Sequence, residues 1–305
     1  MSENKYNDIG ERINAVRDNL SRIYKHTSEM RFVRMAHIKE LAYELCSSYR
    51  QTDITLDFDI SWIEQIRNVC AELDLDTVDM VELSREIALL SQRNGSGVLR
   101  FFTEYNESVP AAASDKIASV KNFYTENAYL KFSRYLQKPS AIYLDSFTSA
   151  CEDVASMRYE YAIVPIENSD DGKLMGFYRL LDMNGLKIAL TSSVTSPDER
   201  GSTTLALVKR GIDDLNKRGI SEGAKYFELC LTSKNGAESA DICLAARLLG
   251  MKLHRIDSAA LAYRENEFEY YIIIDTASHD IYPFMIYLNL IGADYSPVGF
   301  YTHIK

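Results

Sequence analysis

An apolar stretch that ends in three polar residues is the part of the chain best suited to chemistry. Residues 161–166 are predicted to form a strand with a proline near its end, and Glu167, Asn168 and Ser169 follow directly. A carboxylate, an amide and a hydroxyl at the end of a strand are the groups of a polar substrate site. The same sequence is also typical of a turn in which Asn168 or Ser169 caps the following helix. Both interpretations stay open.

A second candidate site lies on the first predicted helix, where cationic side chains are clustered. They are Arg22, Lys25, Arg31, Arg34, His37 and Lys39. Arg34 lies on the otherwise apolar seam of this helix, so Arg34 and Lys39 are candidate ligands for an anion. The alternative is that these charges face solvent and that Arg34 is ion-paired.

The N-terminal residues 7–48 are predicted to form one long amphipathic helix, because apolar residues recur at alternating spacings of four and three. This seam consists of Ile9, Ile13, Val16, Leu20, Ile23, Thr27, Met30 and Arg34. Shorter helices are predicted around 59–73 and over 76–92, and the segment 94–97 follows as a boundary. A seam of this length needs a helical partner, so we expect an interlocked homodimer or a higher homo-oligomer.

The middle of the chain alternates between short strands and helices. Strands are predicted at 98–102, 141–144, 161–166, 186–190 and 204–208, with helices at 115–136 and 147–157. This alternation is typical of an α/β domain whose strands are buried in one sheet. A polar linker at 213–223 ends the unit.

The last part of the chain has the β-α-β-β-α-β order of a ferredoxin-like α+β domain. Strands are predicted at 226–232, 251–259, 267–275 and 294–302, with helices at 237–249 and 279–291. A small sheet of this kind leaves an edge open, which a second chain can pair with. We therefore divide the chain into modules at 1–95, 96–222 and 223–305.

Composition excludes several classes of function. The chain has 305 residues with 34 Lys+Arg and 44 Asp+Glu, a net charge of −10, so binding to nucleic acid or to an anionic membrane is not expected. No apolar run is long enough to span a membrane and the N-terminus does not resemble a signal peptide, so we expect a cytoplasmic protein. The five cysteines form no CxxC pair, so neither disulfides nor a metal site is expected, and no cofactor is indicated.

The segment 164–172, with Leu180-Leu181 after it, resembles the Pro-Ile-Glu-Asn-Ser-x-x-Gly signature of prephenate dehydratases. Together with the helices before it and the β-α-β-β-α-β unit after it, the chain resembles the bifunctional chorismate mutase–prephenate dehydratase family of phenylalanine biosynthesis. The resemblance implies a multidomain fold: an all-α chorismate-mutase-like module, a prephenate-dehydratase-like α/β lobe and a C-terminal ACT regulatory domain. It also implies a small dicarboxylate or phenylalanine as ligand.

The resemblance assigns roles to particular residues. Thr203 matches the threonine of the family's Thr-Arg-Phe motif, so an active enzyme would use Thr203, Asn168 and Ser169 for catalysis and Glu167 for substrate binding. Arg34 and Lys39 from the cationic cluster would bind substrate as well. Effector binding by the ACT domain is assigned to Asn235, Gly236, Ala237, Asp257 and Ser258. The alternative for this last module is a sheet that serves dimerisation only.

The sequence also departs from the family pattern. Gly10 and Thr27 occupy the positions of two mutase arginines, and Thr204 replaces the arginine of Thr-Arg-Phe. Only a short polar turn separates residue 190 from Thr203, where the family has a second lobe. These departures predict a truncated, catalytically impaired homologue that acts as an amino-acid-sensing regulator. The alternatives are an active dehydratase or mutase that uses non-standard residues, and an assembly module without a small ligand.

Overall fold

Three helices form the N-terminal part of the computed structural model, which describes residues 3–49, 56–94, 115–212, 224–233, 237–260, 267–276 and 279–305. They are α1 (Glu3–Tyr49), α2 (Leu56–Glu72) and α3 (Thr77–Asn94). The predicted bounds are close to these. Asp76 caps α3, because its carboxylate accepts the backbone N–H of Asp79 at 2.9 Å. The predicted boundary at 94–97 lies largely outside the described residues.

The middle of the chain folds as strands and helices that alternate along the sequence. The strands are β1 (Lys116–Ser119), β2 (Ser140–Tyr143), β3 (Tyr161–Asn168), β4 (Gly172–Lys173), β5 (Leu186–Thr195) and β6 (Ser202–Arg210). The helices are α4 (Phe123–Phe132), α5 (Phe147–Ala155) and α6 (Met175–Met183). Strands β1, β2 and β3 are parallel, and β6 runs antiparallel to β3 and β5. The predicted strand at 98–102 and the linker at 213–223 lie outside the described residues.

One predicted helix is wrong at its start. The sequence pattern favours a helix over 115–136, but Lys116–Ser119 is the strand β1, and Ile117 and Ala118 are fully buried in it. A four-residue strand is too short to show an alternating pattern against the helical residues that follow it. Helix α4 begins only at Phe123, after Asn122 accepts the backbone N–H of Thr125.

The C-terminal part has the predicted β-α-β-β-α-β order. Its elements are β7 (Ala224–Ser233), α7 (Ala237–Leu248), β8 (Lys252–Ala260), β9 (Phe268–Asp275), α8 (Tyr282–Leu290) and β10 (Tyr295–Ile304). Their strands lie in the order β10-β7-β9-β8, and every neighbouring pair is antiparallel. Both helices and α3 contribute to one core, so the N-terminal helices cover this side of the sheet.

The two sheets are joined into one sheet of 10 strands, in the order β2-β1-β3-β6-β5-β10-β7-β9-β8, with β4 paired to β3. The join is a parallel pairing of β5 with β10. The edge at β10 is therefore covered by the same chain, and β8 is the terminal strand on this side.

The join depends on a close backbone approach at Gly299, which pairs with Ile188. A Cβ atom at Gly299 would lie 2.5 Å from the carbonyl oxygen of Ile188 and 2.9 Å from its backbone nitrogen. The register shifts on both strands at this point. Only glycine lets the two backbones come this close.

Among the residues of α1 whose side chains are described, those towards the C-terminal end are covered. Ile38, Ala42 and Cys46 are buried against the other helices, whereas Met30 is 58% exposed and Arg34 has a side chain that is 51% exposed. The cysteines at 46, 70, 151, 230 and 243 are all free thiols. No described helix is both long and apolar enough to cross a membrane.

Candidate functional site

The polar residues at the end of β3 face the start of β6. The register pairs Asn168 with Thr203, and Glu167 with Thr204. Directly opposed residues share a face of a sheet and successive residues alternate between faces. The structure therefore places Thr203 beside Asn168 and places Glu167 on the opposite face from them.

The side chain of Asn168 holds a turn. Its oxygen accepts the backbone N–H of Asp170 at 3.0 Å and that of Asp171 at 2.5 Å, and its amide nitrogen donates to the Asp171 carboxylate at 2.8 Å. The segment is thus an Asx turn between β3 and β4. The expectation that Asn168 or Ser169 caps the next helix is wrong, since the N-cap residue of α6 is Leu174 and makes no side-chain capping bond.

Ser169 connects this turn to β6 through two hydrogen bonds. Its backbone N–H donates to the carbonyl of Ser202 at 2.9 Å, and its hydroxyl accepts the backbone N–H of Ser202 at 3.1 Å. Gly201 leaves room for that hydroxyl, because a Cβ there would lie 2.6 Å from Ser169 Oγ. Thr204, at the family's arginine position, has its hydroxyl 3.0 Å from that of Ser193.

Glu167 belongs to an ionic network between the middle and C-terminal parts of the chain. Arg255 on β8 donates from Nη1 to Glu167 at 2.7 Å and from Nε to Asp257 at 2.8 Å. The other oxygen of Asp257 lies 3.5 Å from the Nζ of Lys173 on β4. Asp257, assigned to effector binding by resemblance, is thus held by two cations of the same chain.

The network ends in a buried ion pair. The Nζ of Lys173 donates to Glu228 at 2.5 Å, and the two side chains are 5% and 0% exposed. The hydroxyl of Tyr301 donates to the second oxygen of Glu228 at 3.0 Å. The rings of Tyr178 and Tyr271 lie 4.4 and 4.8 Å from the Lys173 nitrogen, so cation–π contacts surround the charge.

Because of these buried tyrosines, the free energy of unfolding depends on pH in the alkaline range. Burial raises the pKa of Tyr178 and Tyr301 well above its usual value, and the charge of Glu228 adds to the effect. The unfolded chain loses these protons near pH 10 while the folded chain keeps them, so their contribution is complete below pH 10 and is lost as the pH rises above it.

We therefore expect the Tyr301→Phe variant to lose stability more slowly above pH 10 than the wild type. The slope of unfolding free energy against pH should be smaller by about 1.4 kcal/mol per pH unit, because one proton fewer is linked to unfolding. Urea unfolding at pH 8 to 11 measures it, with Tyr43→Phe at an exposed position as control. Equal slopes for Tyr301→Phe and the wild type contradict the prediction.

The cations assigned to substrate binding are paired within the helices. Arg34 donates to Asp79, and Lys39 lies 3.2 Å from Glu86, both on α3. Among the described residues, no hydrogen bond or ion pair joins Arg34 or Lys39 to Asn168, Ser169 or Thr203.

The residues assigned to the effector are only partly described. Asn235 and Gly236 lie outside the described residues, and Ala237 begins α7. Ser258 is exposed on β8, next to the paired Asp257. No group of three His, Cys, Asp or Glu side chains in the described ranges is arranged to hold a metal ion.

Sequence reasoning passes over two buried charges, Glu228 of the ionic network and Lys187 outside it. Glu228 lies between Phe227 and Leu229 in an otherwise apolar strand, and Lys187 lies between Leu186 and Ile188 in another. A charged residue inside an apolar strand is the available signal for a buried pair or site. The partner of each charge is distant in sequence, so the signal does not identify it.

Comparison with known proteins gives a family match in the middle of the chain. Residues 120–195 match the sequence model of the prephenate dehydratase family. This range contains the residues at the end of β3 but not Thr203. No curated protein matches the chain.

Solved structures give a likeness of fold. The prephenate dehydratase of Streptococcus mutans matches with a TM-score of 0.53 and 19% identity, over 63% of this chain and 100% of that chain. GqqA, described as a novel type of quorum-quenching acylase, matches with a TM-score of 0.46 and 15% identity, over 61% and 94%. The prephenate dehydratase of Arthrobacter aurescens, in complex with L-Phe, matches with 0.45 and 14%, over 61% and 90%. The first likeness shows a mixed α/β sheet fold like that of a prephenate dehydratase.

Proposed function

We propose that the chain is a prephenate dehydratase-like protein of aromatic amino-acid biosynthesis that has little or no catalytic activity and acts as an amino-acid-sensing regulator, with phenylalanine as the first candidate effector. One observation carries the proposal. The polar side chains at the end of β3 are all used inside the chain: Glu167 by Arg255, Asn168 by its own turn and Ser169 by Ser202. A substrate would have to displace these bonds.

Two features of the dehydratase-like part support the loss of activity. Dehydration of prephenate requires a proton for the departing hydroxyl and cations for two carboxylates. Thr204 replaces the family's arginine and bonds to Ser193 instead. Strands β5 and β6 are joined by residues 196–201 alone, so this connection supplies no second wall for a cleft.

The helical module supports the same conclusion for chorismate. Arg34 and Lys39 are paired with Asp79 and Glu86, and the two family arginine positions are Gly10 and Thr27. A mutase holds its substrate in a reactive conformation with cations, and none of these positions offers a free one.

We extend the proposal to assembly and location. The exposed part of the α1 seam, at Thr27, Met30 and Arg34, fits a second copy of the chain, which gives a homodimer or higher homo-oligomer. The C-terminal module serves as an ACT-like domain, and the protein is cytoplasmic. The same exposed seam favours a second candidate, an assembly module without a small ligand, whose thermal stability no amino acid would change.

The first experiment incubates the purified protein with chorismate and prephenate together, and follows both substrates and phenylpyruvate by chromatography against a control without protein. We expect turnover below about 0.01 s⁻¹, a thousandfold under a typical kcat of about 10 s⁻¹. Turnover at ordinary enzyme rates refutes the proposed loss of activity. It would instead favour an active enzyme that uses Thr203, Asn168 and Ser169.

The hypothesis of an active enzyme can be tested directly, because the register places Thr203 beside Asn168. Any activity that depends on this pair should fall at least tenfold in Thr203→Val, which removes the hydroxyl and keeps the shape. Thr195→Val, at the exposed end of β5, is the matched control. Equal activity in Thr203→Val and the wild type removes Thr203 from the catalytic assignment.

A further inference from the structure

A cavity of about 380 Å³ lies between α6 and the sheet of the C-terminal module. Its walls come from α6, from the start of β5 and from strands β7, β9 and β10. This volume is that of a small-molecule site. The cavity is separate from the turn at Asn168 and from the residues assigned to an effector by resemblance.

The cavity contains a buried cation without a counter-ion. Lys187 is 7% exposed, and its ammonium group makes one hydrogen bond, to the carbonyl of Pro297 on β10. No carboxylate oxygen of the described residues lies within 4.0 Å of it. Burial lowers the pKa of Lys187, and the charge of Asp182 opposes this from a greater distance.

A buried ammonium in this state is energetically unfavourable, and the cavity gives it room for a partner. An ammonium has three N–H donors, of which the carbonyl of Pro297 uses one. An anion in the cavity would accept the remaining donors and neutralise the charge. Lys187 is therefore suited to bind a carboxylate.

The cavity is also lined by three carboxylates, those of Asp182, Glu269 and Asp294, and by a second cation, Arg179. Glu269 on β9 lines it, and the hydroxyl of Tyr271 lies 3.4 Å from the Glu269 carboxylate. Strand β7 lies between β9 and β10, and Pro297 pairs with Leu229 on β7 whereas Glu269 pairs with Thr232. The backbones at Glu269 and Pro297 are therefore about 14 Å apart, two strand spacings across the sheet and three residues along it. Leu181, Leu186 and Val298 add apolar surface.

We infer that this cavity binds an α-amino acid with an apolar side chain, whose carboxylate contacts Lys187 and whose ammonium group is directed towards Glu269. The inference rests on the amino-acid sensing proposed above and gives it a location. The ligand would contact α6 on one side and the C-terminal sheet on the other. Binding would thus couple the two parts of the chain through a shared ligand.

The test is calorimetric titration of the full chain with L-phenylalanine, L-leucine, 3-phenylpropanoate and 2-phenylethylamine. The last two probes lack the ammonium and the carboxylate group, respectively. We expect L-phenylalanine or L-leucine to bind, and both truncated probes to bind at least about tenfold more weakly. If 3-phenylpropanoate binds as tightly as the better amino acid, the zwitterion assignment is overturned.

Variants separate this cavity from other sites. Lys187→Met removes the charge and keeps an apolar chain of similar length, and Glu269→Gln removes the anion. We expect each to weaken binding at least about tenfold. Lys252→Met, at an exposed position on β8, is the control, and Ser258→Ala probes the site assigned by resemblance. Urea unfolding without ligand should show that Lys187→Met is as stable as the wild type. If Lys187→Met is less stable, the binding result of Glu269→Gln tests the cavity independently.

The outcomes distinguish the location from the function. If the wild type binds an amino acid and both Lys187→Met and Glu269→Gln bind it equally well, the cavity is not the site, while amino-acid sensing stands. If a screen of all common amino acids finds no binding to the wild type, amino-acid sensing and its location are both overturned.

Discussion

Replacing Lys173 by Met should lower the free energy of unfolding by about 3–5 kcal/mol, because it leaves Glu228 buried without a counter-charge. Glu228 is 0% exposed, and its two oxygens accept from Lys173 and Tyr301. Removal of the ammonium leaves a carboxylate that water cannot reach. The cost is the desolvation of that charge rather than the loss of one hydrogen bond.

Urea unfolding at pH 7 measures the effect, with circular dichroism to show that the variant is folded without denaturant. The double variant Lys173→Met with Glu228→Gln should recover at least half of the lost stability, because no charge is then left unpaired. The control is Arg158→Ala, which removes an exposed arginine from its ion pair with Asp153 and should cost about 1 kcal/mol or less. A loss in Lys173→Met no greater than in Arg158→Ala contradicts the account of a buried pair.

Replacing Gly299 by Ala should lower the free energy of unfolding by about 3 kcal/mol or more. The added Cβ would lie 2.5 Å from the carbonyl oxygen of Ile188, and a backbone atom held by two strands cannot move aside as a flexible side chain can. The substitution acts where β5 pairs with β10. We therefore expect damage concentrated at the join between the two halves of the sheet.

Hydrogen exchange locates this damage. Protection should fall most for backbone amides of β5 and β10, and less for β1 and β2 at the far edge of the sheet. Gly176→Ala is the matched control, because a Cβ at this position in α6 meets nothing within 4 Å. It should leave stability unchanged or raise it by up to about 1 kcal/mol, since alanine favours a helix interior. A Gly299→Ala variant as stable as Gly176→Ala refutes the requirement for glycine at the join.

The sequence by itself determines most of the elements and their order. The alternating spacing of apolar residues predicts α1 to within a few residues of its bounds, and apolar runs between turns predict nearly every strand of the C-terminal part. These signals are local, because one buried face of a helix or strand fixes the period of its own residues. The one displaced element in the described part, β1, is a strand of four residues, too short to carry a period.

The candidate site, like the fold, is predicted from the sequence only in part. The position of Glu167, Asn168 and Ser169 at the end of a strand follows from the apolar stretch before them, whereas the pairing of Thr203 with Asn168 is a property of the sheet register. The sequence does not predict that the Asn168 side chain stabilises a tight turn rather than capping a helix. The two motifs use the same side-chain oxygen and differ only in which backbone N–H groups the chain brings to it.

Only the tertiary structure decides how the parts of the chain meet. The pairing of β5 with β10, the bond from Arg255 to Glu167 and the pair of Lys173 with Glu228 each join residues more than 50 positions apart. A charge or a glycine in a strand shows from sequence that some close partner is required, but many distant residues satisfy the requirement equally well. The choice is made when the whole sheet packs, because the free energy of burying a charge or an edge depends on all the surfaces that cover it.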